Sequence, residues 1–208
     1  NLTALITARN YKCGDDFSKA IIYLSDQAHS SNIKAIRISG FRKEQIRIIP
    51  TDMEFKISLN KLRNAIAKDR LEGLMPFCII ASAGTTNTGT VDPLEDMGKI
   101  CKAENLWFHI DGAYGAPAIL SKKGKPLLKG IRLADSLTID PHKWLFQPYE
   151  IGCLLVKNHK WLKTSFHQHP QYLRDIEGNG SEINFYDHGM QLTRRFRALK
   201  FYMSVKTF

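Results

Sequence analysis

The chain is poor in several things that would otherwise define it. Four cysteines in 208 residues (Cys13, Cys78, Cys101 and Cys153) stand far apart with no Cys-x-x-Cys pair. That spacing argues against a zinc site and a disulfide framework and fits a reducing cytoplasm. No run of residues is apolar enough to span a bilayer, which argues against a membrane-embedded chain. Asn1 to Leu5 lacks the basic start and long apolar stretch of a signal peptide, and no initiating methionine precedes it. The net charge of +10 comes from basic residues scattered over the chain, not from one run interleaved with aromatics. The densest patch, Lys122-Lys123-Gly124-Lys125, reads as a solvated loop. A nucleic-acid-binding module is therefore the weakest reading of the charge, and no recognition motif supports it.

What is present is a lysine set just beyond a strand. Ser136 to Ile139 has the β-branched, apolar character of a short strand, and Pro141 prevents its continuation. His142 and Lys143 follow in a turn, and Trp144-Leu145-Phe146 is expected to form an apolar wall beside them. A lysine against apolar side chains has a lowered pKa, which an amine needs to attack a carbonyl. Taken singly, a lysine is more often a solvated surface group.

A second segment, Leu106 to Gly115, reads as a buried strand ending in Asp111 and then a turn of small residues. An aspartate in that place commonly caps a turn. It can also partner a cationic ring nitrogen. Pyridoxal phosphate chemistry needs both a lysine and such a carboxylate. The two strand ends lie about thirty residues apart, room for a helical crossover to a neighbouring parallel strand.

Strand and helix patterns alternate along the chain. Helices are expected over Leu2 to Arg9, His29 to Ser39 (ending at Gly40), a segment capped by Ser58, Leu94 to Ala103, and Arg195 to Lys206. Strands are expected at Ile21 to Leu24, Ile46 to Ile49, Phe77 to Ala81, Leu106 to Ile110, Ser136 to Ile139 and Gly152 to Val156. The last should be antiparallel, since its connection is too short for a crossover helix. The stretch from Lys160 to Asn184 is polar, without clear period, and reads as a loop. This order predicts an α/β fold of three layers around a mostly parallel sheet. Ligands of such sheets bind beyond the carboxyl ends of the strands, where His29, Thr86, Asp111 and Lys143 all fall.

These segments resemble the group II pyridoxal-phosphate-dependent amino-acid decarboxylases, which include the aromatic-L-amino-acid, tryptophan, histidine and glutamate decarboxylases. The resemblance rests on Ser25-Asp26-Gln27-Ala28-His29-Ser30-Ser31, on Gly84-Thr85-Thr86 with Asp92-Pro93-Leu94, and on His109 to Tyr114. Pro141-His142-Lys143-Trp144 and Arg194 to Lys200 complete it. The order and spacing fit the family, and Trp144 with Arg194-Arg195-Phe196-Arg197 favours the aromatic branch. The implied fold is the fold type I large domain of pyridoxal 5'-phosphate enzymes.

The resemblance implies roles for individual residues. Lys143 is similar to the Schiff-base lysine, and Asp111 to the acid that pairs with the pyridine nitrogen. His29 matches the histidine stacked on the ring, and Ala113 the small residue on the opposite face. Thr86 resembles the threonine near the phenolic oxygen, and His142 the histidine near the phosphate. Asp140 departs from the aromatic-type animal members, which tend to carry Asn there. Tyr172, in Pro170-Gln171-Tyr172-Leu173, matches the proton-donating tyrosine of a loop that closes over the site; phenylalanine there is associated with relatives that make aldehydes.

The resemblance further implies that residues 1–208 form the cofactor-binding large domain, incomplete at the N-terminus, with 160–184 as the active-site loop. The family's phosphate-binding serines would lie upstream, and a small C-terminal domain would be absent. The expected reaction converts an L-amino acid, aromatic by branch, to its amine and carbon dioxide. Other expectations are a cytoplasmic homodimer with the active site at its interface, no metal, no membrane and no nucleic acid. An aminotransferase or aldehyde-forming enzyme of the same fold, or a non-catalytic scaffold, are the alternatives.

Overall fold

The computed structural model describes residues 1–167 and 183–207. Six strands, β1 (Ala20–Ser25), β2 (Ile46–Ile49), β3 (Met75–Ser82), β4 (Trp107–Asp111), β5 (Ser136–Ile139) and β6 (Cys153–Val156), form one sheet in the order β2-β1-β3-β4-β5-β6. The first five run parallel and β6 pairs antiparallel with β5, Leu137 opposite Leu155. Seven helices surround it among the described residues: α1 (Leu2–Cys13), α2 (Ser30–Ile38), α3 (Leu59–Leu71), α4 (Leu94–Ala103), α5 (Gly124–Leu127), α6 (His159–Phe166) and α7 (Arg197–Thr207).

Both faces of the sheet are covered, which is why the central strands are unbroken apolar runs and not alternating ones. On one face Tyr23, Ile79, Ala81, Phe108 and Ile110 pack under α3 and α4. On the other, Ile22, Leu24, Cys78, Ile80 and Trp107 pack under α1 and α2. The expected three-layer α/β architecture is thus the observed one. No helix among the described residues is long and apolar enough to cross a membrane.

Local chemistry sets several boundaries. The α2 helix starts at His29, whose ring nitrogen accepts from the Ser31 N–H. It stops in a Schellman turn: Gly40 adopts φ 92°, its N–H reaches the Arg37 carbonyl, and Phe41 N–H reaches Ile36. Asp69, on α3, is buried because the Tyr23 hydroxyl donates to it over 2.7 Å and Arg47 pairs with it at 2.6 Å.

Four expectations need correction. Ser58 stands before α3 but its side chain makes no cap bond. The polar stretch after Lys157 opens as a helix: Asn158 Oδ1 caps α6, and Trp161 packs on Tyr11 and Trp107 at centroid distances of 4.7 and 5.0 Å. Trp161, Leu162, Ser165 and Phe166 are its half-buried face, a helical spacing set within an otherwise polar stretch. The β4 to β5 crossover carries 3-10 turns and the one-turn α5 in place of a full helix. Trp144 and Phe146 form no wall, being 43% and 85% exposed. Trp144 stacks on Tyr114 instead, with centroids 5.3 Å apart.

Candidate active site

A cavity of about 230 Å³ opens beyond the carboxyl ends of the parallel strands. Its lining includes Lys143, Asp111, His29, Ala113, Thr86 and Asp140. These six sequence-predicted residues are therefore brought together. His142 does not line the cavity; its Nδ1 lies 2.6 Å from the Ile151 carbonyl oxygen, and its ring meets Tyr149 edge-on at 4.7 Å. Tyr172 lies outside the described residues.

Asp111 ends β4 and is only 8% exposed. Oδ2 accepts from Asn32 Nδ2 at 2.7 Å and from Asn1 Nδ2 at 3.0 Å, while Oδ1 accepts from the Ala113 N–H at 3.3 Å. Burial pushes this carboxyl up, but the Asn32 hydrogen bond, the neighbouring His109 imidazole and the Ala113 and Asn1 bonds together outweigh it and hold the pKa below the usual carboxylate value. The site therefore holds a buried anion, and among the described residues no salt bridge reaches it.

Lys143 sits in the turn after β5, its N–H bonded to the Asp140 carbonyl at 2.9 Å. Its ammonium pairs with Asp140 Oδ2 at 2.8 Å, so the amine is held by a carboxylate and not by an apolar wall. The lysine turn and the aspartate turn are stitched together: Asp140 N–H donates to the Ala113 carbonyl and Gly112 N–H to Thr138. That closeness requires small residues. A Cβ on Gly112 would lie 2.5 Å from the Ala116 Cβ and 2.8 Å from Leu137. Gly84, at φ 98°, packs its loop onto Gly115, where a Cβ would lie 3.1 Å from the Gly115 Cα.

The loop carrying Thr85 and Thr86 is fixed from behind by Asp92. Its two carboxylate oxygens accept the Ser82 and Ile57 N–H groups at 2.8 and 2.9 Å. Burial pushes the Asp92 carboxyl up to about 6, despite those two bonds.

The donor set suits pyridoxal phosphate. A buried carboxylate held ionised matches a cationic ring nitrogen, a primary amine shares the cavity, and the Ala113 methyl leaves room for a flat ring. Sequence reasoning missed Asn1, Ser31, Asn32, Ser82, Thr85 and Thr138 around this cavity. Asn32 had a readable signal: it is a polar residue on the buried stripe it shares with Ala35 and Ile36. The others become visible only when the strand ends meet.

An amine beyond one parallel strand and a carboxylate at the tip of its neighbour define the fold type I class of pyridoxal-phosphate proteins. Residues 9–208 match the pyridoxal-dependent decarboxylase conserved domain, and the chain belongs to that family. It is 51% identical over 209 residues to the aromatic-L-amino-acid decarboxylase of Bacillus atrophaeus, covering 100% of this chain and 44% of that protein. It is 36% identical over 197 residues to the phenylacetaldehyde synthase of Petunia hybrida, covering 93% and 39%. Among solved structures, Oryza sativa TDC with PLP and tryptamine superposes with a TM-score of 0.93 at 31% identity, covering 100% of this chain and 44% of that one. The chain thus spans less than half the length of these relatives.

Proposed function

We propose that the protein is a pyridoxal-phosphate-dependent carboxy-lyase that converts an aromatic L-amino acid to its amine and carbon dioxide. The carrying observation is the convergence of Lys143 and the ionised Asp111 on one cavity with His29 at its rim. Identity of 51% to an aromatic-L-amino-acid decarboxylase supports the reaction and the substrate class.

Pyridoxal phosphate, when bound, supplies the electron sink for the pair left as carbon dioxide departs. Lys143 Nζ would hold it covalently, and Asp140 keeps that amine at the cavity until then. Asp111 would accept a hydrogen bond from the ring nitrogen and stabilise its positive charge. His29, which lines the same cavity, would face the ring and the substrate carboxylate, and Ala113 would leave the other side free. Thr86 would lie near the ring oxygen. His142, its Nδ1 engaged by Ile151, would act near the phosphate through Nε2. Tyr172 is the proton donor to the substrate α-carbon in this reading, which makes the product an amine.

A homodimer with its active site at the interface accords with the exposed aromatic side chains of Tyr114, which lines the cavity, and of Trp144 stacked on it. A second reading, aldehyde formation, is favoured by one observation, the 36% identity to a phenylacetaldehyde synthase. Mass spectrometry of products from the protein, pyridoxal phosphate and a pool of L-amino acids separates the readings. One amine matched to one consumed aromatic amino acid is expected. An aldehyde would support the second reading, and keto acids would overturn both.

A further inference from the structure

Behind the Asp111 carboxylate lies a hydrogen-bond network whose direction can be worked out atom by atom. An ionised carboxylate only accepts, so the Asn1 atom facing Asp111 Oδ2 at 3.0 Å must be Nδ2. Asn1 Oδ1 therefore faces His109 Nε2, 2.9 Å away, and that ring nitrogen must carry the proton. His109 Nδ1 is then an acceptor, so the Ser136 hydroxyl donates to it over 2.8 Å. Ser136 in turn accepts from Trp107 Nε1, an atom that can only donate, at 2.8 Å. A single sense of donation runs from Trp107 through Ser136, His109 and Asn1 to Asp111.

A branch leaves the same amide. Asn1 Nδ2 also donates to Ser31 Oγ at 3.2 Å. Ser31 Oγ lies 2.8 Å from His29 Nδ1, which already accepts the Ser31 backbone N–H at 3.3 Å. The Ser31 hydroxyl must then donate to Nδ1, and the neutral His29 ring keeps its proton on Nε2. Thr138 Oγ1 donates to Asn1 Oδ1 at 3.0 Å and completes the set. Both donors and both acceptor positions of one side-chain amide are thus used, with no sense of donation left free.

Resting on the decarboxylase reading for its purpose, we propose that Asn1 is a positioning residue that joins Asp111 to His29. Its amide orients the carboxylate for a ring nitrogen and, through Ser31, locks His29 as the Nε2–H tautomer. His109 is the fixed support of that amide. It is fully buried, and burial pushes its imidazole down to about 3, so it stays neutral and its tautomer is set by its neighbours.

The test is nitrogen NMR of the full chain with labelled histidine, together with titration of pyridoxal phosphate by absorbance. Expected are Nε2–H signatures for His109 and for neutral His29. Ser31→Ala removes the hydroxyl but keeps the backbone N–H on Nδ1, so His29 should stay Nε2–H while its Nδ1 resonance moves, with His109 unchanged. Asn1→Asp retains acceptors towards His109 and Thr138 but turns an oxygen on Asp111 and Ser31. It should weaken pyridoxal phosphate binding about tenfold, the worth of one charge-assisted hydrogen bond. An Nδ1–H signature for His109 would overturn the proposal, as would unchanged cofactor affinity in Asn1→Asp. Should Asn1→Asp not fold, an unmoved His29 Nδ1 resonance in Ser31→Ala overturns the branch by itself. These signatures are read without substrate. Their failure leaves decarboxylation standing, and absent decarboxylation leaves the network standing.

Discussion

Asn32, on α2, donates its side-chain N–H to Oδ2 of Asp111 at the tip of β4 over 2.7 Å, although 79 positions separate them in the chain. The bond ties a helix start to the strand end that holds the carboxylate. Replacing Asn32 by Leu removes the foremost donor and leaves the buried anion under-solvated. Cofactor affinity should fall about tenfold, and stability by about 1–3 kcal/mol. Pyridoxal phosphate titration and urea unfolding check the two effects.

Lys143 supplies the primary amine of the cavity, and Asp140 holds it at 2.8 Å. Incubation with pyridoxal phosphate followed by borohydride reduction should give one stable adduct on a peptide containing Lys143. Lys143→Ala should give none at that site and no turnover. Full turnover by that variant would remove the lysine from the mechanism. Asp140→Asn should change unfolding stability by less than about 1 kcal/mol, since the ion pair is partly solvated.

Asp92 makes stability depend on pH in a defined direction. Its folded pKa, about 6, lies above the ordinary value of 3.8, so the folded state keeps a proton that the unfolded chain has already lost. The contribution is full below 3.8 and is lost as pH rises through about 6, a span worth roughly 3 kcal/mol. Urea unfolding of wild type and Asp92→Asn from pH 4 to 7 isolates it. The stability difference between the two proteins should shift by that amount, in favour of the variant as pH rises. A constant difference would show that Asp92 does not titrate in this range.

Gly115 has φ −90°, open to any residue, so its constraint is space and not conformation. A Cβ there would collide with the Ala83 carbonyl oxygen and lie 3.2 Å from the Gly84 Cα. Gly115→Ala should cost about 1–3 kcal/mol by overpacking. It should also weaken cofactor binding, because the Gly84 loop carries Thr85 and Thr86. A melting curve unchanged from wild type would show that the loop yields.

Tyr172→Phe tests the proton donor. In air, loss of amine with gain of aldehyde from the same amino acid is expected, dioxygen taking up the electron pair as hydrogen peroxide and the nitrogen leaving as ammonia. An unchanged amine yield would take Tyr172 out of the mechanism.

Much of the fold was legible because it follows from local chemistry. Ile46–Ile49, Leu94–Ala103 and Ser136–Ile139 stand where the apolar patterns and flanking breakers put them. The antiparallel turn of β6 followed from the shortness of its connection. The helix α6 was not legible, because it is only eight residues long inside a polar stretch and its anchor is a distant pair, Tyr11 and Trp107. Trp144 illustrates the same limit: its apolar neighbours in sequence suggest burial, yet its stacking partner is Tyr114, thirty positions away.

By itself, the sequence determined the alternation of strand and helix, the loops at the strand ends, and the placing of an amine and a carboxylate in two of them. Those features depend on backbone sterics and on the spacing of apolar side chains, which act over a few residues. Only the tertiary structure decided that Asp111 is ionised though buried, that Lys143 pairs with Asp140, and that Asn1 spans to Thr138 across 137 positions. Hydrogen bonds and charges act through space, over distances set by how strands pair and helices close. Their partners exist only once the sheet has brought its carboxyl ends together.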